Sequence, residues 1–360
     1  MLTLMAITAG ALAQPAAGAF TDDVGVLTAA TVDGSGNWST TISTIGSPAV
    51  FVDTGVPFID VPVMIYETQV GAADANCPAG RWALGLARLT FGGWADFGPI
   101  VEPTAGTYYS CVAAHPAVVP FGDPANRQWV VYFKAELDEA NCVSNPQFDC
   151  VRYPGLGRLV ISGSGPTFVD PLVYTVTTAV STEPVLEEVA QDMGYPSVIF
   201  ADGEYHMAYA QKPDLYIASS AFTTDFGIPG SPAVSLGDGS GWDTDELYSP
   251  SLNCEGTAPS VDYLLFTGGR ELDSYPFVVD ASMGLFTSTD LVTFTEPAAS
   301  PYLQVSAGDN EMRHLDVQRD GSNYAVFYAT PRTPGTASND IRRAYMPGFS
   351  QLSIEHKRCP

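Results

Sequence analysis

One phrase recurs five times along this chain of 360 residues, and the repetition constrains the fold more than any other feature. Each copy opens on Pro, or on Leu in the last copy, and continues as a short apolar strand. A turn of Gly, Asp or Asn follows, and a second strand ends on an aromatic residue. This pattern is typical of a β-hairpin. The copies begin "SPAVFVD" at Ser47, "HPAVVPF" at His115, "YPSVIFA" at Tyr195, "SPSLNCE" at Ser249 and "HLDVQRD" at His314.

A second phrase follows each hairpin and predicts a third strand, a polar turn and a fourth strand. Examples are "ALGLARLTFGGWADFGP" from Ala83 and "MGLFTSTDLVTFTEP" from Met283. Four strands per repeat, at intervals of roughly 50–80 residues, favour propeller blades over a sandwich. One blade cannot bury both of its faces, so its neighbours must stack on it. We therefore predict an all-β fold, a five-bladed β-propeller with four antiparallel strands per blade, over residues 46–360.

The N-terminal residues predict export and a closing strand. Residues 1–20 contain an apolar run and an Ala11-Leu12-Ala13 site, the pattern of a cleaved signal peptide. Residues 21–45 precede the first blade and could supply a strand that closes the ring. No later stretch approaches the roughly 18 apolar residues that a membrane span requires. We expect a periplasmic or extracellular protein with no membrane span of its own.

Charge and cysteine content limit the partners and the cofactors. The chain has 40 acidic and 15 basic residues, a net charge of −25, which disfavours nucleic acid and suits a basic protein partner or a cation. Six cysteines fit an oxidising compartment. Cys142 and Cys150 could pair locally, and the other four could form two more bridges that sequence does not assign. No Cys/His spacing typical of haem or structural zinc occurs.

Two of the quoted stretches resemble a known family. The hairpin "YPSVIFADGEYHMAYA" and the phrase "MGLFTSTDLVTFTEP" are similar to blade motifs of five-bladed propeller glycoside hydrolases, over about residues 45–350. These enzymes are the arabinanase and β-xylosidase group and the invertase and levansucrase group. The resemblance implies a glycan bound in an axial funnel. It also implies an Asp before the Pro of the first blade, where this chain has Ser47, and a Glu in a Glu-Gly or Glu-Cys context, for which "NCEG" offers Glu255.

Antiparallel pairing places the start of each first strand and the end of each second strand at one face of the propeller. That face is the expected funnel. Its predicted members from strand starts are Ser47, His115, Tyr195, Ser249, Arg313 and His314. Its predicted members from strand ends are Glu67, Lys134, Glu136, Gln211, Lys212, Arg270, Glu271 and Arg332.

Glycoside hydrolysis normally uses two carboxyl groups. Glu67 and Glu136 are the carboxylates best placed for catalysis, and the alternative is that they pair with Lys134 or Arg270 in a rim network. Asp316 lies two residues after His314, so strand alternation predicts a His/Asp couple on one face, either for acid–base chemistry or as a structural hydrogen bond.

Other polar residues are predicted to bind substrate or metal. The expected substrate-binding residues are His115, Tyr195, Arg270, Arg313 and His314. His115 and His314 could help to hold a metal ion, or they could be packed side chains. The loop 237–246 gathers Asp238, Asp243 and Asp245, which predicts either a calcium site or a solvated acidic loop. No other cofactor is expected, because no nucleotide, serine-hydrolase or zinc-protease motif occurs.

Two functions remain open on the sequence. In the first, the chain is an exported glycoside-hydrolase-like propeller that binds or hydrolyses a glycan in its funnel. The acid and base would then come from Glu67, Glu136, Asp316 or Glu255. In the second, it is a non-catalytic propeller that serves as a binding or structural subunit of an extracytoplasmic assembly.

Overall fold

The computed structural model describes residues 21–54, 60–78, 80–137, 155–165, 173–186, 193–211, 213–238, 242, 246–257, 260–273, 278–297, 301–304, 313–320, 323–331, 339–346, 357 and 359. Within this part of the chain the fold is all-β, as predicted. One short helix, α1, and one 3₁₀ turn at Pro124–Asn126 accompany the strands.

The elements follow the repeats. In the first half they are β1 Thr21–Leu27, α1 Ala29–Gly34, β2 Ile45–Asp53, β3 Val61–Gly71, β4 Arg81–Thr90, β5 Gly93–Val101, β6 Val112–Pro120, β7 Gln128–Glu136, β8 Gly155–Ser164 and β9 Val173–Thr178. In the second half they are β10 Met193–Ala201, β11 Glu204–Gln211, β12 Asp214–Ser220, β13 Glu246–Thr257, β14 Ser260–Asp273, β15 Val278–Ser288, β16 Leu303–Gln304, β17 Arg313–Asp320, β18 Asn323–Pro331 and β19 Asn339–Tyr345.

The described strands form four sheets. Three of them have the orders β1-β19-β18-β17, β10-β11-β12 and β13-β14-β15-β16. In the fourth, the antiparallel units β2–β5 and β6–β9 are joined by one parallel bridge between Trp82 and Val112. The five predicted hairpins are present as β2/β3, β6/β7, β10/β11, β13/β14 and β17/β18. The N-terminal strand β1 pairs antiparallel with β19.

Each first strand carries a β-bulge at the same point, where its register against the second strand shifts. The residue before the Pro, or before Leu315, adopts a positive φ in every copy. A residue before Pro is kept out of the right-handed helical region, and the extra residue of a bulge must bend the strand. The five values are 43° at Ser47, 49° at His115, 54° at Tyr195, 47° at Ser249 and 55° at His314.

The five first strands contact one another in a cycle, β2 to β6, β10, β13, β17 and back to β2. Apart from the single bridge between β6 and β4, no described strand pairs with the other edge of a first strand, so the N–H groups on those edges need side-chain partners. Ser197 Oγ accepts from the N–H of Leu252, and Ser251 Oγ accepts from that of Val317, each at 2.9 Å. Asp316 Oδ2 accepts from the N–H of Val50 at 2.7 Å. These bonds join neighbouring first strands directly.

The apolar core lies between neighbouring sheets. One cluster of buried side chains joins β2 and β3 to β6 and β7 through Phe51, Ile65, Val118 and Phe133. Glycine makes room for the aromatic residue at the end of a second strand. A Cβ at Gly157 would lie 2.4 Å from Cζ of Phe133, which stands opposite on β7.

Two disulfides cross-link the described chain, Cys77–Cys111 and Cys254–Cys359. The predicted pair Cys142 and Cys150 lies outside the described residues. The second disulfide holds the C-terminal tail. The backbone groups of Lys357 and Cys359 in this tail both form hydrogen bonds with the backbone of Phe200 on β10. In the described part of the chain, no helix has the length and apolar character needed to cross a membrane.

Candidate functional site

The five residues of positive φ meet at one small cavity. Together with Glu67 they are called the polar pole below. The cavity walls are Ser47, Pro48, His115, Pro116, Tyr195, Pro196, Ser249, Pro250, His314 and Leu315. Its volume of about 20 Å³ suffices for a water molecule and not for a sugar ring. Non-glycine residues of positive φ cost on the order of 1–3 kcal/mol each and gather at functional sites.

Three aromatic rings cluster at the pole, and two of them are stacked. The His115 and Tyr195 rings lie 3.9 Å apart between centroids and are inclined by only 12°. The His314 ring lies 4.6 Å from that of His115 and 5.0 Å from that of Tyr195. Each ring comes from a different hairpin, so the strand starts of β6, β10 and β17 are fixed against one another. A glycan would therefore meet these rings from outside the cavity.

Glu67 is the carboxylate of the pole. It lies near the end of β3 and is only 5 % exposed in its side chain. Its Oε2 accepts the backbone N–H of His115 at 2.9 Å and lies 3.8 Å from Nε2 of the same residue. Its Oε1 lies 3.9 Å from Nε2 of His314. Gly46 leaves this space open, because a Cβ there would stand 2.9 Å from Oε1.

The same three side chains could hold a divalent cation. One donor atom each from Glu67, His115 and His314 lie within 4.8 Å of one another. Imidazole nitrogen and carboxylate oxygen bind ions of the zinc class at about 2.0–2.2 Å, so the three donor atoms would have to move closer together to share one ion. The hydroxyls of Ser47 and Ser249 are also buried at this cavity, without a hydrogen-bond partner among the described residues.

Glu136 and Lys134 form a second charged group on β7. Their side chains are each 8 % exposed, and Nζ of Lys134 lies 3.1 Å from Oε1 of Glu136. This is the ion pair considered as the alternative to catalysis. The stem of Lys134 passes beside His115, because a Cβ at Gly194 would be 3.1 Å from Cδ of the lysine and 3.2 Å from Nδ1 of the histidine.

The register explains why charge gathers on one side of the pole. Glu67 and Lys134 occupy the same place in their hairpins, opposite the residue that precedes the bulge. The other three hairpins have small residues there: Ala210, Gly268 and Ala329. At this register position, charged side chains therefore come from the first two hairpins.

The structure does not bring His314 and Asp316 together. His314 lines the polar pole, whereas Asp316 lines a different cavity below the ring of prolines. The cause is the bulge, since one extra residue in a strand reverses the alternation of the side chains that follow. The Asp316 carboxylate accepts hydrogen bonds from the N–H of Val50 and from the side chains of Gln318 and Lys357.

Glu255 also lies away from the pole. It stands six residues beyond Ser249 on β13, roughly 20 Å along an extended strand. Its side chain is 4 % exposed, and its Oε1 lies 3.4 Å from Nε of Arg319. This position separates the candidate Glu255 from the candidate Glu67.

The remaining predicted residues are only partly described. Arg270 lies on β14 and Arg313 on β17, and their side chains are outside the described structure. Asp243 and Asp245 lie outside the described residues. Asp238 lies in an exposed turn and accepts the backbone N–H of Ser235 at 2.8 Å. The only group of metal-binding side chains found in the described part of the chain is the one at Glu67, so Asp238 has no such neighbours there.

Comparisons with known proteins show the fold. No protein-family model matches the chain, and no curated protein matches it either. A solved structure assigned to the glycoside hydrolases, from Parabacteroides distasonis, has a TM-score of 0.62 at 14 % identity and covers 95 % of this chain and 99 % of its own.

Two further solved structures are similar over most of their length. An exo-1,5-α-L-arabinanase from a bovine ruminal metagenomic library has a TM-score of 0.54 at 8 % identity and covers 89 % of this chain and 99 % of its own. An α-L-arabinofuranosidase from Lactobacillus brevis has a TM-score of 0.56 at 13 % identity and covers 89 % and 95 %. The chain thus has the all-β fold of propeller glycoside hydrolases.

Proposed function

We propose that this chain is an exported five-bladed β-propeller that binds or hydrolyses a glycan at the polar pole. The observation that carries the proposal is the position of Glu67, a buried carboxylate between two imidazoles at the meeting point of five strand starts. The cyclic contacts of the first strands and the pairing of β1 with β19 support the five blades and their closure. The two disulfides are compatible with export.

In the enzymatic form of the proposal, Glu67 either donates a proton to the glycosidic oxygen or accepts one from the attacking water. His115 and His314 flank its two oxygens, so protonation of either ring would hold the carboxylate ionised. The second carboxyl group would be Glu136, whose Oε1 lies 3.1 Å from Nζ of Lys134. Tyr195 and His115 would form the platform on which the sugar lies. A cation at Glu67, His115 and His314 would compete with this acid–base role.

A specific observation favours a second candidate, the non-catalytic subunit. None of the five residues of positive φ at the pole is a carboxylate, and the cavity that they line has a volume of only about 20 Å³. Such a pole would act as a rigid hub, and the acidic surface would meet a basic partner. In this case the purified protein would travel with a larger assembly.

The test compares turnover and binding in matched variants. Wild type, Glu67→Gln, Glu136→Gln and the control Asp225→Asn, an exposed loop residue, would be assayed on arabinans, xylans and fructans with and without a chelator. We expect Glu67→Gln to lose at least about a hundredfold in rate while the control is unchanged. Binding without turnover, measured by calorimetry, would identify a glycan-binding protein. If the protein shows no turnover and no binding, the glycan proposal is overturned and the non-catalytic subunit is favoured.

A further inference from the structure

A second polar cavity lies below the ring of prolines and is distinct from the cavity of the polar pole. This lower cavity has a volume of about 20 Å³, and its walls include Val50, Ser197, Asp316 and Lys357. The prolines that separate the two cavities contribute to both. The lower cavity is therefore a narrow space with apolar sides and one carboxylate.

Asp316 is bound differently at its two oxygens. Oδ2 accepts from the N–H of Val50 at 2.7 Å and from the amide of Gln318 at 2.6 Å. Oδ1 accepts from Nζ of Lys357 at 2.6 Å and, at 3.4 Å, from the hydroxyl of Ser251. The short bond to Oδ1 thus comes from an ammonium group. Both side chains of the ion pair are at most 10 % exposed.

The ammonium group is delivered by the C-terminal tail rather than by a blade. The carbonyl of Lys357 accepts the N–H of Phe200, and the N–H of Cys359 donates to the carbonyl of Phe200. Cys359 is bonded to Cys254 on β13, so the tail is fixed two residues beyond the lysine. These contacts fasten Lys357 across two blades.

We infer that the lower cavity is a binding site for a primary alkylammonium group, which the chain fills with its own Lys357. The apolar walls suit an alkyl stem, and the buried carboxylate suits an ammonium head with its N–H donors. Taking the ammonium away would leave a buried carboxylate without its counter-ion, which is strongly unfavourable. An added primary alkylamine, or a lysine side chain of another protein, would meet the same need.

The disulfide keeps the internal ligand in place. A dithiol reductant supplies two electrons and two protons, converts Cys254 and Cys359 to thiols and is itself oxidised to a cyclic disulfide. The tail is then held only by its chain connection to β19 and by non-covalent contacts. The effective concentration of Lys357 at the cavity falls as a result, and an external amine can compete.

The decisive experiment is chemical rescue of Lys357→Ala, with the disulfide intact. We expect this variant to unfold at a lower temperature than wild type and n-propylammonium chloride to raise its midpoint in a saturable manner. Tetramethylammonium chloride, which carries charge but no N–H group, should have no such effect. The control is Lys357→Ala with Asp316→Asn, which should not respond to propylammonium. Equal responses of the two variants, or no response of either, would overturn the inference.

A labelling measurement on the wild-type chain covers the case in which Lys357→Ala does not fold. Lys357 would be acetylated in the oxidised and in the dithiothreitol-reduced protein, and the modification would be followed by mass spectrometry. We expect reduction to increase the labelling rate at least about tenfold, because the tether is then released. Equal rates would show that the disulfide does not hold the lysine in the cavity. Neither measurement depends on glycan binding.

Discussion

The bond between Ser197 and Leu252 provides a direct test of how neighbouring blades are held together. Leu252 lies on the first strand of its hairpin, at an edge with which no described strand pairs. Ser197 Oγ, on the first strand of the preceding hairpin, accepts this N–H at 2.9 Å. The serine side chain is buried, with 3 % exposure. Ser197→Ala removes the acceptor and leaves the N–H in the interior.

The expected cost follows from that burial. A buried N–H left without a partner costs about 1–3 kcal/mol, more than the net value of an average hydrogen bond. Alanine fits the site, since the first two hairpins have Ala49 and Ala117 at the equivalent position. Steric strain should therefore add nothing, and we expect the free energy of unfolding to fall by about 1–3 kcal/mol.

Guanidinium denaturation followed by tryptophan fluorescence, under non-reducing conditions, measures this loss. The denaturation midpoint should fall while the slope of the transition is unchanged, because the surface exposed on unfolding is the same. The matched control is Ser164→Ala, an exposed serine on β8. A loss below about 0.5 kcal/mol in Ser197→Ala, no larger than that of the control, would refute the assignment of this bond as a clasp between blades.

Three further perturbations test the fold. Gly157→Ala would place a Cβ 2.4 Å from Phe133, so we expect the free energy of unfolding, measured by denaturation, to fall by about 1–3 kcal/mol. If adding Phe133→Leu recovers none of this loss, the steric explanation is wrong. The double substitution Cys254→Ser with Cys359→Ser opens a loop with a sequence separation of 105, which should lower the free energy of unfolding by about 4–5 kcal/mol. A loss under about 1 kcal/mol would contradict this expectation. Burial keeps the pKa of His206 below its usual value, so the unfolded chain takes up the proton first as the pH falls. The free energy of unfolding should therefore rise with pH up to about 6.5, and His206→Gln should lose that rise in pH-dependent denaturation; an unchanged pH profile would contradict the reasoning.

The sequence predicted the hairpins because their signals are local. Alternating apolar residues and turns such as Asp202-Gly203 are sufficient to place two strands and the connection between them. The gathering of Glu67 and His115 at one face also followed from antiparallel order. His115 lies near the start of a first strand, and Glu67 lies near the end of a second strand. The opening Pro of each repeat is sufficient to locate both positions.

The bulge and the tail could not be predicted in the same way. The Pro marked the opening of each strand, but the sequence did not reveal the extra residue of the bulge, so simple alternation placed Asp316 on the same face as His314. The three-residue cluster of Glu67, His115 and His314 joins parts of the chain that are up to 247 residues apart, from 67 to 314. Lys357 belongs to no repeat, and only its long-range contacts place it below the prolines.

The most direct test of the account is whether a glycan engages the polar pole. Isothermal titration of arabino-, xylo- and fructo-oligosaccharides would compare wild type with His115→Asn, because Asn tolerates a positive φ and only the imidazole is lost. We predict binding of at least one oligosaccharide class by wild type, and at least about tenfold weaker binding by the variant, or about 1.4 kcal/mol. Binding that is unchanged in His115→Asn, or no binding by wild type, would contradict the assignment of this pole as the glycan site.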